Sequence, residues 1–572
     1  MARPPASARV LAVARGDEPA DLLITGGNVF VPSTKEWIAT SLAIADGVIA
    51  GWGDRDAHMT TDVGGAALTP GFIDAHMHLE STKLWLDEFV AAVLPHGTTG
   101  VAGDPHEMAN VLGVKAIEEL ADAARQVPFT FKVYASSCVP ASPYESAGAN
   151  LDHNDITRLL ADGTAEGVAE VMNYPGVIHG DPEILARIHT AGPKPTYRVD
   201  GHSPGVRGRL LDAYLAAGVE SDHECTTLEE AEEKRRKGMW VFLREGSASR
   251  NLIDLAPLVT KYGPANTALC TDDREPSTLL SLGHINDCCR IAVAHGIDEK
   301  DAILLASTNP ARYHGFTALG DLGPGFQADI VAFAQLSTWE PTQVWQNGNV
   351  VAANGHLVAG AVQKLTAPAS FRNTVNVGAL PEPQQLILEF PPGTNVRAVG
   401  VESHTLTTGN REMKIGDPEL NHAAVIERHH ATGKIGRGFA VGFGLKRGAI
   451  ASTVAHDAHN IVVVGANGPD MAKAVARLTE LGGGQIAILD GEVIGEVPLP
   501  LAGLMSDRPA QEVGTQIAHL NHAIATQLGT TTEEPFMQLS FIALSVIPNL
   551  RLTDGGLVDV NKFEFVPVTI DS

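Results

Sequence analysis

Short apolar segments alternate with helical patterns eight times between residues 68 and 315 of this 572-residue sequence. The apolar segments are residues 71–75, 99–103, 129–134, 167–171, 196–199, 218–221, 240–243 and 267–270. Eight βα units over this length match a (β/α)8 TIM barrel in both number and size. A doubly wound sheet with six or seven units is the alternative, because counting segments in one sequence does not separate the two folds.

Segments of β character flank this region on both sides. Residues 1–67 and 319–366 place Gly-Gly, Asp-Gly and Asn-Gly turn signals between apolar runs, and we expect them to form one small β-sandwich module. The barrel, residues 68–318, is then inserted in that module. Residues 381–572 show buried-strand patterns on either side of an amphipathic helix at 471–481. The predicted fold is therefore α/β: an inserted barrel, a β-sandwich module and a C-terminal α/β domain.

The charge of the chain limits its partners. Asp plus Glu total 67 against 41 for Lys plus Arg, so the formal net charge is −26. Such a chain repels nucleic-acid phosphates and anionic lipid, which argues against a nucleic-acid or membrane-surface role. It is compatible with cation binding and with a neutral small-molecule substrate.

The cysteines indicate the compartment. Five cysteines at wide spacing, without a CxxC motif, do not form a disulfide framework, and a reducing cytoplasm is the expected location. The apolar run at residues 10–14 is too short for a secretory signal. No stretch approaches the ~18–20 apolar residues of a membrane span. We therefore expect a soluble cytoplasmic protein.

Metal-ligand side chains stand at the ends of the predicted barrel strands. His76 and His78 end the first strand, where residues two apart project from the same face and can chelate one cation. A histidine pair alone is weak evidence, since it can simply be hydrogen-bonded. Further candidates end four other strands: Glu170 the fourth, Asp200-Gly-His202 the fifth, Asp222-His223-Glu224 the sixth, and Asp272-Asp273 the eighth. Because active sites form at the carboxyl-terminal face of such barrels, we expect four histidines and two carboxylates from these strand ends to converge.

Six ligands exceed the needs of one tetrahedral ion, since catalytic zinc takes three protein ligands and a water. Two divalent ions that share a carboxylate bridge and a hydroxide fit better, at the roughly 3.5–4 Å separation of two-metal sites. Nitrogen and oxygen donors without a thiolate suit Mn, Fe or Zn, and the sequence does not choose among them.

Longer motifs surround these residues. They include Pro-Gly-Phe-Ile-Asp-Ala-His-Met-His at 70–78, Asp-Pro-His-Glu-Met-Ala-Asn at 104–110, Ser-Asp-His-Glu-Cys-Thr-Thr at 221–227, Cys-Thr-Asp-Asp-Arg at 270–274 and Ala-His-Asp-Ala-His-Asn at 455–460. With these motifs the chain resembles the amidohydrolase superfamily and, within it, the adenine deaminases, over nearly its whole length. The resemblance implies hydrolytic deamination of adenine to hypoxanthine and ammonia, a reaction of purine salvage.

The resemblance also implies roles for individual residues. Two histidine pairs would hold two metal ions, His76 with His78 and His202 with His223. Glu170 would bridge the ions where many superfamily members use a carboxylated lysine, and Lys132 is the alternative bridge. Asp272 would bind the first ion and shuttle protons. We expect Mn(II) or Fe(II), with Zn(II) possible, and a homo-oligomer, either a dimer or a tetramer.

The reaction calls for further groups. Hydroxide adds at C6 of the purine, and Asp272 can accept its proton and deliver it to the leaving amine. A ring nitrogen must also be protonated, and a carboxylic acid kept neutral by its surroundings could do this. Glu80, His106 and Glu107 are candidates for this catalytic role, because they follow the first two strands. The alternative is that they only orient the metal-binding histidines.

Other residues have two open interpretations. Arg244, Ser247 and Asp273 are candidates for substrate binding, with structural ion pairing or helix capping as the alternative for each. His456, Asp457 and His459 fit either a hydrogen-bonded strand entry or a C-terminal lid over the barrel mouth, together with Met505 and Ser506.

Competing functions remain at this point. Another amidohydrolase that acts on a cyclic amide or on a related 6-aminopurine is the main alternative. A cytidine-deaminase-type zinc site is disfavoured because its H-x-E and P-C-x-x-C signature is absent. A non-catalytic metal-binding or assembly protein is a third possibility, but such a site has no need of a proton shuttle like Asp272.

Overall fold

The computed structural model describes residues 5–192, 197–247, 249–401, 408–530, 532 and 534–570. Across these residues, no helix combines the length and the apolar character needed to cross a bilayer.

A helix and five strands precede the barrel. They are α1 (Ala8–Arg15), β1 (Ala20–Val31), β2 (Glu36–Ala45), β3 (Val48–Trp52), β4 (Ala57–Asp62) and β5 (Ala67–Pro70). The predicted Asp-Gly turn joins β2 to β3, and both of its residues, Asp46 and Gly47, have positive φ angles of 50° and 74°. That backbone matches the twist of a tight hairpin, which explains the Asp-Gly pair at this point.

Eight parallel strands then follow. They are β6 (Phe72–Met77), β7 (Thr98–Gly103), β8 (Thr130–Val133), β9 (Gly167–Val171), β10 (Arg198–Gly201), β11 (Ser221–Asp222), β12 (Trp240–Arg244) and β13 (Thr267–Cys270). Ladders join β6–β7–β8, β9–β10 and β11–β12–β13. Backbone hydrogen bonds complete the three remaining junctions: Ala135 N to Gly167 O at 2.8 Å, Glu220 N to Val199 O at 3.0 Å, and Asp272 N to His76 O at 3.0 Å. The strands therefore close into a ring.

Each predicted barrel strand corresponds to a strand in the structure. The fifth begins at Arg198 in the described residues. The sequence placed its start at Thr196, which lies outside the described residues.

Helices connect the barrel strands. They are α2 (Leu86–Val93), α3 (His106–Leu112), α4 (Val114–Ala124), α5 (His153–Ala161), α6 (Tyr174–His179), α7 (Pro182–His189), α8 (Gly208–Ala216), α9 (Leu228–Arg236), α10 (Leu252–Tyr262), α11 (Pro276–Leu282), α12 (Ile285–Ala294), α13 (Glu299–Ile303) and α14 (Asn309–His314). Helix α9 shows why these segments are helical. Thr227 caps its first turn by accepting a hydrogen bond from Glu230 N, acidic residues occupy that turn, and basic residues occupy the last turn, as the helix dipole favours.

The chain returns to the first sheet after the barrel. The returning strands are β14 (Ile330–Phe333), β15 (Gln343–Gln346), β16 (Asn349–Ala353) and β17 (His356–Leu357). Strand β14 pairs antiparallel with β5, so both segments that flank the barrel share one nine-stranded sheet. The structure thus joins the two predicted halves of the module, while its description as a two-layer sandwich stays a prediction.

The C-terminal region is built on an eight-stranded sheet. Its elements are β18 (Asn395–Gly400), β19 (Gly409–Lys414), β20 (Asn421–Ile426), β21 (Ile435–Val441), β22 (Ala449–Ser452), β23 (Ile461–Gly465), α15 (Gly468–Leu481), β24 (Gly484–Leu489), β25 (Glu492–Pro498), α16 (Ala510–Ala523) and α17 (Pro535–Phe541), followed by a small sheet of β26 (Leu550–Thr553), β27 (Gly556–Asp559) and β28 (Glu564–Phe565). The predicted helix at 471–481 is the main part of α15, which buries Met471, Val475 and Leu478 in the core that includes Ile461 and Ile486.

One buried cation connects α9 to the carboxyl ends of two barrel strands. The Lys234 ammonium group donates to Ser203 O at 2.7 Å, to Asp222 Oδ2 at 3.0 Å and to Glu230 Oε1 at 2.7 Å. Ser203 N in turn donates to Asp222 Oδ1 at 2.7 Å. Burial opposes ionisation of Asp222, but the charge of Lys234 lowers its pKa to about 2. The cluster therefore ties together the loops that follow β10 and β11.

Replacement of Lys234 by methionine is expected to destabilise the barrel. It leaves Asp222 and Glu230 as buried carboxylates without their cation, which typically costs about 3–5 kcal/mol of unfolding free energy. The midpoint of denaturant unfolding, followed by circular dichroism, measures this loss. Lys261→Met is the matched control, since Lys261 is 56% exposed and pairs with Glu232 at the surface. Equal midpoints for the two variants would show that the Lys234 cluster does not stabilise the barrel.

Candidate metal centre and active site

The four predicted metal-binding histidines lie at one rim of the barrel. His76 belongs to the end of β6 and His78 follows it, while His202 and His223 come directly after β10 and β11. All four side chains are buried. Because parallel strands of a closed barrel end at the same rim, residues that are far apart in the chain meet here.

Glu170, in β9, stands between the two histidine pairs. Its Oε1 atom lies 3.3 Å from His78 Nε2 and 3.8 Å from His76 Nε2. Its Oε2 atom lies 2.8 Å from His202 Nδ1 and 3.4 Å from His223 Nε2. Each oxygen of one carboxylate therefore faces one histidine pair, which is the arrangement that a bridging ligand needs.

Asp272 follows β13 and faces the first pair. Its Oδ1 atom lies 2.9 Å from His78 Nε2 and 3.6 Å from His76 Nε2. Its Oδ2 atom contacts the guanidinium group of Arg244. Burial opposes ionisation of Asp272, but the charge of Arg244 and the histidine contacts hold its pKa well below the usual range. Asp272 is therefore an ionised carboxylate beside Glu170.

The donors in this cluster fit divalent cations. His76 Nε2 and His202 Nε2 are buried without a hydrogen-bond partner among the described residues, which is costly unless a ligand satisfies them. Several groups of possible ligand atoms lie within 4.8 Å of one another, among them His76, His78 and Asp272; His76, Glu170 and His223; His202, His223 and Glu224; and His78, Asp104, His106 and Glu170. Imidazole nitrogens and carboxylate oxygens without a thiolate are donors that Mn, Fe and Zn accept.

The alternative bridge is not near this cluster. Lys132 lies in β8, where its ammonium group pairs with Glu166 Oε2 at 2.6 Å and lies 5.0 Å from the ring centroid of Phe316. It is absent from the described side chains that line the cavity over the metal ligands. In this structure Lys132 therefore has a structural ion pair, and Glu170 is the residue that lies between the two histidine pairs.

Two of the three acid candidates reach the cavity beside the metal ligands. His106 and Glu107, at the start of α3, both line it. Burial raises the pKa of Glu107 above its usual range, which favours the neutral acid. Glu80 is buried away from the cavity and accepts a hydrogen bond from Met108 N at 2.9 Å. Burial and the charge of Glu107 raise the pKa of Glu80 to about 8.

Two of the three substrate-binding candidates also line the cavity. Arg244 contacts Glu224 and Asp272, and its Nη2 atom lies 3.5 Å from Asp273 Oδ2. Asp273 Oδ1 in turn accepts from Ser81 Oγ at 2.5 Å. One cation thus stands among three carboxylates at the wall of the site.

Ser247 is placed differently. Its hydroxyl donates to Thr278 Oγ1 at 2.8 Å and accepts from Glu275 N at 2.8 Å, where α11 begins. It is not among the described residues that line the cavity. The structure favours the helix-end role that was the alternative for Ser247.

The cavity beside the metal ligands draws on both domains. The barrel contributes the polar residues described above together with Met172 and Glu224, and the C-terminal region contributes His456, Asp457, Phe541, Leu544, Val546 and Ile547. The sequence indicated His456 and Asp457 but not the apolar residues of this wall, because the spacing of these apolar residues does not distinguish them from residues of a buried core. Met505 and Ser506 do not line the cavity, and Ser506 pairs through its backbone with Lys83 and Trp85.

The fold and the site define the class of protein. A closed barrel that gathers four histidines and two acids at the carboxyl ends of its strands is the arrangement of a metal-dependent hydrolase. Residues 67–352 match the model described as the amidohydrolase family. The protein is thus an amidohydrolase.

The C-terminal region shows which family of amidohydrolases the chain belongs to. Residues 400–564 match the model described as the adenine deaminase C-terminal domain. The chain is 41% identical over 571 residues to adenine deaminase 2 of Carboxydothermus hydrogenoformans, with 98% of each chain covered. It is 41% identical over 566 residues to the adenine deaminase of Desulfatibacillum aliphaticivorans, with 98% of this chain and 99% of that one covered. The chain belongs to the adenine deaminase family.

The position of Glu170 leads to a test of metal content. Glu170→Gln removes the negative charge that faces both histidine pairs, so we expect bound metal to fall well below two ions per chain. Elemental analysis of protein dialysed against Mn(II) measures this. Glu166→Gln, four residues earlier and directly before β9, is the control and should retain full metal content. Undiminished metal in Glu170→Gln would remove the bridging role.

Proposed function

We propose that this protein hydrolyses adenine to hypoxanthine and ammonia. The observation that carries the proposal is the placement of Glu170, with one oxygen toward each histidine pair, beside the ionised Asp272 at a buried cavity. Family membership supports adenine as the substrate.

Two divalent cations per chain are the proposed cofactors, Mn(II) or Fe(II) before Zn(II). His76, His78 and Asp272 would hold one, His202 and His223 would hold the other, and Glu170 would contact both. When bound, such cations supply hydroxide near neutral pH, because they lower the pKa of coordinated water toward ~7.

Asp272 is the proposed proton carrier. Its carboxylate accepts the proton released when hydroxide adds at C6 of adenine, and it returns that proton to the amino group that leaves as ammonia. Contact with Arg244 keeps Asp272 ionised and oriented before the reaction. Arg244 and Asp273 line the same wall and are proposed to orient the purine.

Glu107 is the proposed acid at the purine ring nitrogen. It lines the cavity, whereas Glu80 lies behind it with one oxygen already bonded to Met108 N. A neutral carboxylic acid in an apolar setting can donate to a nitrogen as charge develops there. His106 lies beside Glu107, and we propose that it orients the neighbouring groups.

Several sequence-based expectations stay predictions. They are the domain boundaries at residues 1–67, 68–318, 319–366 and 381–572, the cytoplasmic location, and the assembly into a homo-oligomer.

A substrate panel tests the proposed reaction. Protein loaded with Mn(II) or Fe(II) is given adenine, adenosine, dihydroorotate and hydantoin, and ammonia release and ring opening are followed. We expect ammonia from adenine alone, and we expect a chelator to abolish its release. Turnover restricted to a cyclic amide would assign the protein to the competing class of amidohydrolases. Inertness toward all four substrates at full metal content would favour a non-catalytic protein.

A pair of glutamine variants distinguishes the acid candidates. Glu107→Gln removes the donated proton, so kcat for adenine should fall by about 10²–10⁴-fold, the usual contribution of general acid catalysis. Glu80→Gln should have a far smaller effect on kcat, because Glu80 does not reach the cavity. Steady-state kinetics at constant metal content measure both. A larger loss of kcat in Glu80→Gln than in Glu107→Gln would reverse the assignment.

A further inference from the structure

Asp457, from the C-terminal region, lines the same cavity as the metal ligands. Its Oδ1 atom lies 3.6 Å from His106 Nε2, and the other ring nitrogen of His106 lies 3.7 Å from Glu170 Oε1. One imidazole ring therefore separates Asp457 from the bridging carboxylate. The Asp457 side chain is 3% exposed, and its Oδ2 atom has no hydrogen-bond partner within the part of the chain that the structure describes.

The loop that carries Asp457 is held in place by its own domain. Ala455 N donates to His459 Nδ1 at 3.1 Å, and the buried Arg428 guanidinium group donates to His459 O. His429 Nε2 lies 2.7 Å from Ala458 O. These contacts act on both sides of Asp457, so its carboxylate is positioned before any ligand enters.

Apolar side chains share the cavity with the unpartnered oxygen, beside the polar groups of the rim. Phe541, Leu544, Val546 and Ile547 line the same cavity from the C-terminal region, and Met172 lines it from the barrel. A buried carboxylate oxygen without a donor is costly in such surroundings. The cavity is also the one into which the planar substrate must fit. An N–H group of the ligand would give this oxygen the hydrogen bond that it lacks.

We infer that Asp457 Oδ2 accepts a hydrogen bond from the N9–H group of adenine and selects the free base over N9-substituted purines. This inference rests on the proposed function. In adenine the reacting C6 belongs to the six-membered ring and N9–H to the five-membered ring. With C6 at Glu170 and Asp272, the five-membered ring extends past His106 toward Asp457. A nucleoside carries its sugar at N9 and offers no hydrogen there.

The size of the preference for adenine follows from the buried acceptor that an N9-substituted purine would leave without a hydrogen bond. A site built to bond a substrate N–H discriminates strongly against an analogue that lacks it, because the buried acceptor then has no partner. We expect the wild-type protein to prefer adenine over 9-methyladenine by more than roughly 100-fold in kcat/KM, in keeping with such discrimination.

Asp457→Asn provides the test. The amide retains the shape but offers a weaker, uncharged acceptor, so KM for adenine should rise by at least about 10-fold with kcat changed less, the signature of lost ground-state binding. The preference for adenine over 9-methyladenine should shrink by a similar factor. Asp470→Asn is the matched control, since Asp470 is a buried aspartate of the same region that accepts from Gly491 N, far from the cavity lining.

The outcomes separate this inference from the proposed function. Failure of the wild-type protein to deaminate adenine overturns the proposed function, and the inference with it. Adenine turnover with an unchanged preference in folded Asp457→Asn overturns the inference alone, and assigns the selection to steric exclusion. If the variant does not fold, inhibition of the wild-type protein decides: 7-deazaadenine, which keeps N9–H, should inhibit at least roughly 30-fold better than 9-deazaadenine, which has the same bulk but a C–H group at position 9, as loss of a hydrogen bond to a charged group predicts. Equal inhibition would overturn the inference.

Discussion

The buried carboxylate of Glu170 is the interaction on which the site depends. Burying a charge is costly, and here imidazole nitrogens from two histidine pairs surround the two oxygens at 2.8–3.8 Å. Those histidines come from three different strands, so a shift in any one of them leaves part of the carboxylate unsatisfied. The same arrangement leaves His76 Nε2 and His202 Nε2 without hydrogen-bond partners among the described residues. Divalent cations would satisfy these two ring nitrogens as metal ligands.

The barrel makes that arrangement possible through its closure and its loops. Backbone bonds between the first and last strands bring Asp272 beside His76 and His78. On the other side, Lys234 ties the loops after β10 and β11 together through Ser203 and Asp222. The Lys234 cluster thus lies beside the metal-ligand cluster, because His202 and His223 directly follow the two strands whose ends Lys234 connects.

The C-terminal region changes what the barrel rim can do. It contributes an apolar wall, His456 and Asp457 to a cavity whose remaining lining, apart from Met172, is polar. An apolar wall that excluded water here would strengthen the electrostatic interactions inside the cavity. The two domains therefore contribute different parts of the cavity. The barrel rim holds the reactive groups, and the C-terminal region shapes the space that the purine must enter.

Local patterns in the sequence determined the strand alternation, the histidine pair at 76 and 78, and the acids at the strand ends, because each depends on spacing within a few residues. Tertiary structure alone decided which of Lys132 and Glu170 stands between the histidines. Lys132 is held by Glu166 and Phe316, and these two partners lie at separate points of the chain. It also decided that Ser247 supports a helix end while Asp457 reaches His106. No sequence spacing relates residues 106 and 457, because contacts between domains arise from packing of whole surfaces, and packing leaves no periodic trace in the chain.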